Sequence, residues 1–495
     1  MTDRLRILLL SILACLLAGP LVKPLAGADE RRNVLIIQTD EHNFRTLGCY
    51  RQTLPEEQAL VWGKDAVVET PAIDSIAQRG AICTSFYATS PVCTPSRAAF
   101  FTGLYPHQTG AHTNNQPLRS DIVTFAEVLR RDGYATGYAG KWHLDGPGKP
   151  QWAPQRQFGF ADNRFMFNRG HWKNFQLTDS GPRVGSRDKK GAPSYGVGDA
   201  DEQTFATDWL ADRAMDFIRE HADRPFCYHL SLPDPHGPNT VRPPYDTMYA
   251  DMAIRPPMSF SMSKDNPAWA AVGGKNSAAK FNPALMTLYF GMVRCIDDNV
   301  AEILDTLAEL DLTDKTIVVF TSDHGDLCFE HGRLNKGNPY EGSAKIPMII
   351  AAPGLIPAGT RVDQALGTVD FAPTLLSLLG KDTSHPMTGR DASSLLTAQQ
   401  GVTWDDVAII QSSGSSPSWF AVITDRYKLV LSMSERPWLF DLESDPDELK
   451  NSIGLDQNRD IVRHLATRLR DYAQSQETGF LNAKLKTQIE RLLKQ

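Results

Sequence analysis

Positive charge is in short supply in this sequence. Against 58 Asp+Glu stand 51 Lys+Arg, a net charge of −7 over 495 residues, which argues against an overall nucleic-acid binder. Long hydrophobic runs are missing too. The stretch Ile7 to Leu17, broken by Ser11, is too short to span a bilayer and has no stop-transfer flank, so no stable membrane span is expected. Cysteine is sparse at seven residues, which excludes a disulfide-dense miniprotein, and the cysteine spacing suggests no framework. Internal repeats and low-complexity tracts are absent. What is left, 41% hydrophobic and 22% charged residues, is a soluble globular composition. The length suits one large α/β domain with an appendage, or two to three ordinary domains.

Residues 1–28 read as a cleaved export signal. Arg4 and Arg6 precede the apolar run, and Ala26-Gly27-Ala28 offers small residues for cleavage before Asp29. Cys15 raises a lipoprotein reading, but Leu13-Ala14 is a poor match to a lipid-attachment box. The expected location is periplasmic or secreted. Losing Asp3, Arg4, Arg6 and Lys23 would take the net charge to −9 and leave Cys49, Cys83, Cys93, Cys227, Cys295 and Cys328.

Downstream, strand-like runs alternate with helix-like ones, which predicts a parallel sheet covered by helices. Val34-Leu35-Ile36-Ile37 reads as a buried first strand. Thr70-Pro71 opens a helix that Gly80 closes. Asp121 to Arg131 is amphipathic, with the strand Tyr134 to Ala139 behind it. Helices over Phe205 to His221 and Leu285 to Leu310 lead into strands at Phe226 to Leu232 and Thr316 to Phe320. Pro347 to Ala352 is a further strand and Phe371 to Leu379 a helix. Beyond about residue 400 short strands follow one another (Ala408 to Gln411, Trp419 to Thr424, Tyr427 to Leu431, Trp438 to Asp441), covered by an amphipathic helix from about Asp460. The expected organisation is a signal over 1–28, an α/β catalytic domain over 29–400 and an α+β subdomain over 401–495.

In an open parallel sheet, ligands sit at the carboxyl ends of the strands. Four predicted strands end there in reactive side chains: Asp40-Glu41, Lys141 with His143, Asp234 with His236, and Asp323-His324. Singly, each reads as loop polarity or a hydrogen-bonded histidine; together they favour a site. Asp40, Glu41, Asp323 and His324 supply three carboxylates and one imidazole, which suits calcium or magnesium better than zinc. Pro95 is placed to start a helix, so Cys93 stands at or just before a helix N-terminus with Arg97 one turn in. That makes Cys93 a candidate activated thiol, whereas Cys83 and Cys227 read as buried structural cysteines.

The segment Cys93-Thr94-Pro95-Ser96-Arg97 resembles the Cys-x-Pro-x-Arg signature of the sulfatase family, whose cysteine is oxidised after synthesis to formylglycine. Gly103-Leu104-Tyr105-Pro106-His107, Gly140-Lys141-Trp142-His143, Pro235-His236, Thr321-Ser322-Asp323-His324-Gly325 and Lys336 to Gly342 resemble the family's successive blocks. Asp425 to Leu429, Leu439 to Glu443 and Asp445-Pro446 resemble its C-terminal subdomain. The resemblance covers nearly the whole mature chain, in order. It implies an alkaline phosphatase-like α/β fold: a large mixed, mostly parallel sheet flanked by helices, with a smaller C-terminal antiparallel-sheet subdomain.

The resemblance also implies a sulfuric ester hydrolase working through hydrated formylglycine, made from Cys93 by a formylglycine-generating enzyme. One oxygen of the geminal diol would attack sulfur and expel the alcohol. The second hydroxyl would let the sulfated hemiacetal collapse, a route an ordinary serine ester lacks. Implied metal ligands are Asp40, Glu41, Cys93, Asp323 and His324, with calcium expected and magnesium the alternative. Lys141 and Lys336 would hold sulfate oxygens, His236 would protonate the leaving alcohol, and Asp323 would be the base. His143 and Arg97 would hold the formylglycine oxygen, and His143 and His236 would also line the substrate site. Two departures stand out: Glu41 replaces the second Asp of many members, and Asp323-His324 replaces the Asp-Asn of several relatives.

Residues 149–190 carry nine Lys or Arg against three Asp, with Trp152, Phe158, Phe160, Phe165, Phe167, Trp172 and Phe175 among them. Such an insert suits either a grip on a sulfated carbohydrate, cations on sulfate and rings on sugar faces, or a solvated basic loop whose rings are buried. Two rival functions remain: a phosphonate monoester or phosphodiester hydrolase with the same nucleophile, and an inactive sulfated-glycan-binding protein.

Overall fold

Val34 to Ile37 is apolar on both faces because both faces are covered, and every residue of the strand around it, β1 (Asn33–Asp40), is buried. The computed structural model describes residues 31–264, 266–271, 279–381, 385–475 and 480–494, so the expected signal over 1–28 lies outside the described residues. β1 is central to an eight-stranded sheet with β2 (Ala81–Cys83), β3 (Ala135–Lys141), β4 (Asp162–Phe167), β5 (Phe226–Pro235), β6 (Thr316–Ser322), β7 (Met348–Ala351) and β8 (Thr360–Val362), in the order β8-β2-β7-β6-β1-β5-β3-β4. All its pairings are parallel except those of β7, which runs antiparallel to β2 and β6. The mixed, mostly parallel sheet expected from the alternation of elements is thus present.

Helices cover both faces: α1 (Pro71–Arg79), α2 (Cys93–Thr102), α3 (Phe125–Arg131), α4 (Ala206–Glu220), α5 (Pro283–Glu309) and α6 (Phe371–Leu378). Val34 and Ile36 pack with Phe100, Phe101, Phe125 and Phe371 on one side. Leu35 and Ile37 pack with Ile73, Leu210, Ile218 and Ile296 on the other, the period-2 division of a strand. The helix expected from Asp121 starts later, at Phe125, because Thr124 caps it: Glu127 N donates to Thr124 Oγ1 at 3.2 Å and Thr124 N to Glu127 Oε2 at 3.0 Å. Among the described residues no helix is long and apolar enough to cross a membrane.

The four C-terminal strands, β9 (Ala408–Gln411), β10 (Trp419–Ile423), β11 (Tyr427–Ser432) and β12 (Trp438–Asp441), form an antiparallel sheet. The single final helix expected is two helices, α7 (Arg459–Gln474) and α8 (Ala483–Leu493), the second capped by Asn482, which accepts from Lys484 N at 2.8 Å. These helices cover one face through Leu429, Leu431, Leu465 and Leu485. The other face packs Ala421, Val430 and Phe440 against Tyr87, Leu327 and Tyr340 of the larger part. At that junction Lys428 Nζ, wholly buried, donates to Glu341 Oε1 at 2.6 Å, Glu448 Oε1 at 2.8 Å and Pro339 O at 2.8 Å. Burial opposes the charge on Glu341, but Lys428 and then Lys345 outweigh it and hold this carboxyl down to about 2.

His331 lies buried beside this junction, stacked on Tyr340 at 3.6 Å and 6°. Burial pushes it down to about 3 from 6.5. The unfolded chain therefore takes up a proton near pH 6.5 that the folded chain refuses until about pH 3. Stability is full above 6.5 and falls as the pH drops from there toward 3, by up to about 1.4 kcal/mol per pH unit for this residue. His331→Phe keeps the stack and removes the proton. Its midpoint of thermal unfolding should fall less between pH 7 and pH 5 than that of the wild type; equal slopes would count against the assignment.

Candidate active site

Four neighbouring strands, in the order β6-β1-β5-β3, end on one edge of the sheet. Their parallel register sets Thr39 beside Ser322 and Asp40 beside Pro235. Asp40 and Glu41 therefore emerge next to Asp323 and His324 on one side and the Pro235-His236 turn on the other, with Lys141 at the end of β3. Gly140 is required here: it sits at φ 103°, and a Cβ would lie 1.8 Å from Ser231 O. Glu41 at φ 65° and His143 at φ 63° hold left-handed backbone, strain of the kind that collects at functional sites. The same edge receives the start of α2, whose first residue is the buried Cys93.

Cys93 Sγ lies 3.2 Å from His324 Nε2, 3.5 Å from Lys141 Nζ and 4.0 Å from Asp40 Oδ1. Burial opposes ionisation of the thiol, but Lys141, then Lys336 and His324, outweigh it and hold Cys93 well below an ordinary cysteine. Burial pushes Cys49, Cys83, Cys227, Cys295 and Cys328 the other way, and all six of these cysteines are unbridged. One thiol is set apart by its neighbours.

Arg97, also wholly buried, donates from Nε to Asp323 Oδ2 at 2.8 Å and from Nη2 to Asp40 Oδ2 at 3.1 Å. Its Nη1 reaches Lys141 O and Ser231 Oγ, both at 2.8 Å. The guanidinium spends these donors on orienting two carboxylates and two strand ends, one helical turn from Cys93.

Asp40, Cys93, Asp323 and His324 each turn a ligand atom inward, all within 4.8 Å of one another and all buried. Crowding shows in their ionisation. Burial and then Asp40 push Asp323 up, while Asp323 drives His324 up to about 9 against burial. A divalent cation fits this set, since it would neutralise both carboxylates and take the place of the proton on His324. Glu41 stands outside it. Its Oε2 lies 2.9 Å from His236 Nε2 and its Oε1 3.0 Å from Lys336 Nζ. His236 and Lys336 beside it hold Glu41 down to about 2 against burial. Four of the five expected ligands are gathered, and Glu41 is turned to two basic partners. Asp40, Cys93, His171 and His236 also cluster, but Lys141 Nζ contacts three of the four, so an ammonium fills that second set.

His236 Nδ1 donates to Gly237 O at 2.8 Å, and its Nε2 lies 2.7 Å from Lys336 Nζ; the tautomer is assigned from these contacts. His143 is fixed through its backbone, N to Asn168 O at 2.7 Å and O from Thr94 Oγ1 at 2.9 Å. Burial pushes its imidazole down to about 4 despite its hydrogen bond to Cys93 and the pull of that thiolate. Asp234, singled out with His236 in the sequence, instead ties Lys173 and Thr207 into the structure.

The 149–190 segment divides differently from either expectation. Phe158, Phe160, Phe167, Trp172 and Phe175 are buried, and Lys173 is buried against Asp234 and His236 O. Arg156 caps the carbonyls of Leu118, Arg119 and Ile122, and Arg164 pairs with Asp162. These rings are core, and Lys173 and Arg156 are committed to internal partners, while Arg164 stays exposed beside Asp162. What the sequence reading missed is His171, whose Nε2 lies 2.8 Å from Lys141 Nζ. The signal was available: it is the single histidine in a segment otherwise weighed only for cations and rings.

With this geometry in view, the comparisons with known proteins are decisive at the level of family. The sulfatase family model matches residues 32–381. The chain belongs to the sulfatase family. A second model, the N-sulphoglucosamine sulphohydrolase C-terminal region, matches residues 329–475. The sulfatase is 28% identical over 470 residues to the uncharacterized sulfatase YidJ of Escherichia coli K12, covering 90% of this chain and 87% of that one. It shares its fold with the solved structure of BT4656 in complex with its substrate D-glucosamine-2-N,6-O-disulfate, with a TM-score of 0.70 and 21% identity over 90% of this chain and 98% of the other. It shares it equally with the phosphonate monoester hydrolase of Agrobacterium radiobacter, with a TM-score of 0.71 and 23% identity over 90% and 96%. The sulfatase is a sulfuric ester hydrolase with an alkaline phosphatase-like fold.

Proposed function

We propose that this sulfatase removes sulfate from a sulfated carbohydrate, with formylglycine made from Cys93 and a divalent cation, calcium before magnesium, held by Asp40, Cys93, Asp323 and His324. The observation that carries this is the buried convergence of those four side chains under Lys141 and Lys336. Once present, the hydrated aldehyde supplies the attacking oxygen and the cation a Lewis acid for the sulfate.

The remaining work falls to the chain's own side chains. Lys141 and Lys336 bind the oxygens of the sulfate and offset charge as it moves to the leaving atom. His236, with Nδ1 committed to Gly237 O, turns Nε2 to Lys336 and Glu41, and a proton for the departing alcohol would be carried on that nitrogen. Glu41, bound to both His236 and Lys336, keeps these two groups side by side. Arg97 fixes Asp40 and Asp323 in one orientation, with Asp323 the base, and the His143 side chain hydrogen-bonds residue 93. Export through residues 1–28, maturation by a formylglycine-generating enzyme, and a division into parts at 29–400 and 401–495 complete the reading.

The phosphonate monoester hydrolase reading stays as the alternative because that enzyme has the same fold. An inactive binding protein is disfavoured by the intact set of reactive side chains. Comparing 4-nitrophenyl sulfate with phenylphosphonate monoesters separates the two enzymes. The sulfate ester should be preferred by about tenfold or more in kcat/KM, a difference of about 1.4 kcal/mol in transition-state binding. A preference for the phosphonate would overturn the reading.

A further inference from the structure

His171 reaches the site from the 149–190 segment, and no role described so far uses it. An ammonium has three protons to donate. Lys141 Nζ faces three acceptors: Asp40 Oδ2, Cys93 Sγ at 3.5 Å and His171 Nε2 at 2.8 Å. Acceptance by Nε2 places the ring proton of His171 on Nδ1. The same ring lies flat on that of His236, with centroids 3.4 Å apart and planes within 9°. Two residues on, Lys173 Nζ donates to the backbone oxygen of His236 at 2.9 Å. The short run 171–173 thus docks on residue 236 twice, ring on ring and ammonium on carbonyl. It is held there from behind, since Trp172 is buried and its Nε1 donates to Arg169 O at 2.9 Å.

We propose that His171 is a positioning residue for two groups at once, aiming Lys141 through its Nε2 and setting the plane of His236 through its ring. The inference rests on the roles given above to Lys141 and His236. Without the acceptor, Lys141 is held by Asp40 and residue 93 alone, and its ammonium is no longer fixed in direction beside the sulfate. Without the ring, His236 can rotate about its side-chain bonds and carry Nε2 off the line to the leaving oxygen. Losses of this kind in a preorganised site show in rate and binding before they show in stability.

Two substitutions take the roles apart. His171→Phe keeps a flat ring and loses the acceptor, whereas His171→Gln keeps an acceptor and loses the ring. Both, with the wild type, are to be assayed on aryl sulfates of graded leaving-group acidity, from 4-nitrophenyl to phenyl, with thermal unfolding recorded alongside. His171→Phe should raise KM several-fold on every ester, because Lys141 holds the sulfate whatever leaves. His171→Gln should lower kcat about tenfold on phenyl sulfate, whose leaving oxygen needs a proton, and less than about twofold on 4-nitrophenyl sulfate, whose leaving oxygen does not. Loss by one common factor on all esters in both variants, or no loss in either, overturns the proposal. A wild type that cleaves aryl sulfates while both variants behave alike sinks this inference alone. A wild type that releases sulfate from neither the aryl sulfates nor a sulfated oligosaccharide sinks the proposed function beneath it.

Discussion

A Cys93→Ala chain should fold as the wild type does and hydrolyse no sulfate ester measurably. Residue 93 stands at the start of α2 with its side chain at the meeting point of Asp40, Lys141 and His324. The substitution removes one sulfur atom from a site whose other groups remain paired with one another: Lys141 with Asp40 and His171, Arg97 with Asp40 and Asp323, and Lys336 with Glu41. The cost in stability is therefore small, on the order of 1 kcal/mol. The cost in turnover is that of losing a nucleophile, about 10⁴-fold or more. Cys93→Ser is the sharper companion, since a hydroxyl could attack once but has no second hydroxyl to expel the sulfate; a single stoichiometric burst without turnover is expected. Peptide mass spectrometry of the same segment from active wild-type protein closes the argument. A plain thiol at residue 93 in a preparation that turns over would refute the chemistry.

Lys428→Met should be the most destabilising single change in the C-terminal region. Lys428 is wholly buried and is the ammonium shared by Glu341 and Glu448, the second of which burial pushes up to about 7. Removing one member of a buried ionic group leaves uncompensated charge and typically costs about 3–5 kcal/mol. The effect should reach the site, because Glu341 lies five residues after Lys336, and its backbone N donates to Glu448 Oε2 at 2.7 Å. The turn between is tied down by Ser343, whose Oγ accepts from Gly337 N at 3.0 Å. Urea unfolding should show a lowered midpoint with unchanged slope, and KM for an aryl sulfate should rise as Lys336 loses its fixed place. Adding Glu448→Gln should recover part of the stability, since fewer charges are then left bare. A single variant that loses under about 1 kcal/mol would argue that the cluster is dispensable.

Much of this was legible beforehand, and the reason is periodicity. Short continuous apolar runs rich in β-branched residues, such as Val34 to Ile37 and Thr316 to Phe320, read as strands covered on both faces, and strand ends in a parallel sheet place their next residues on one edge. Asp40, Lys141, His236 and Asp323 follow from that rule, and Cys93 from a proline that starts a helix. Individual contacts did not follow. Arg97 is turned onto Asp40 and Asp323, and Glu41 onto Lys336 and His236, because each buried charge takes the nearest opposite one, and nearness across the sheet is not written in spacing. His171 was missed for the related reason that its loop carries no periodic pattern. The strand β4 inside that loop was missed because Asp162 to Phe167 mixes buried and exposed residues irregularly.

The junction at Lys428 has a consequence for how such a chain can change over generations. Strand direction invites a cut near residue 400, as though the final sheet were an exchangeable module. Charge forbids a clean exchange. A substitute sheet without a lysine at that place would leave Glu341 with Lys345 alone, and one without a carboxyl at 448 would take an acceptor from both Lys428 Nζ and Glu341 N. The sheet and the Lys336 loop are therefore best inherited as one piece, and a recombination between them should be tolerated where both partners already agree on Glu341, Lys428 and Glu448.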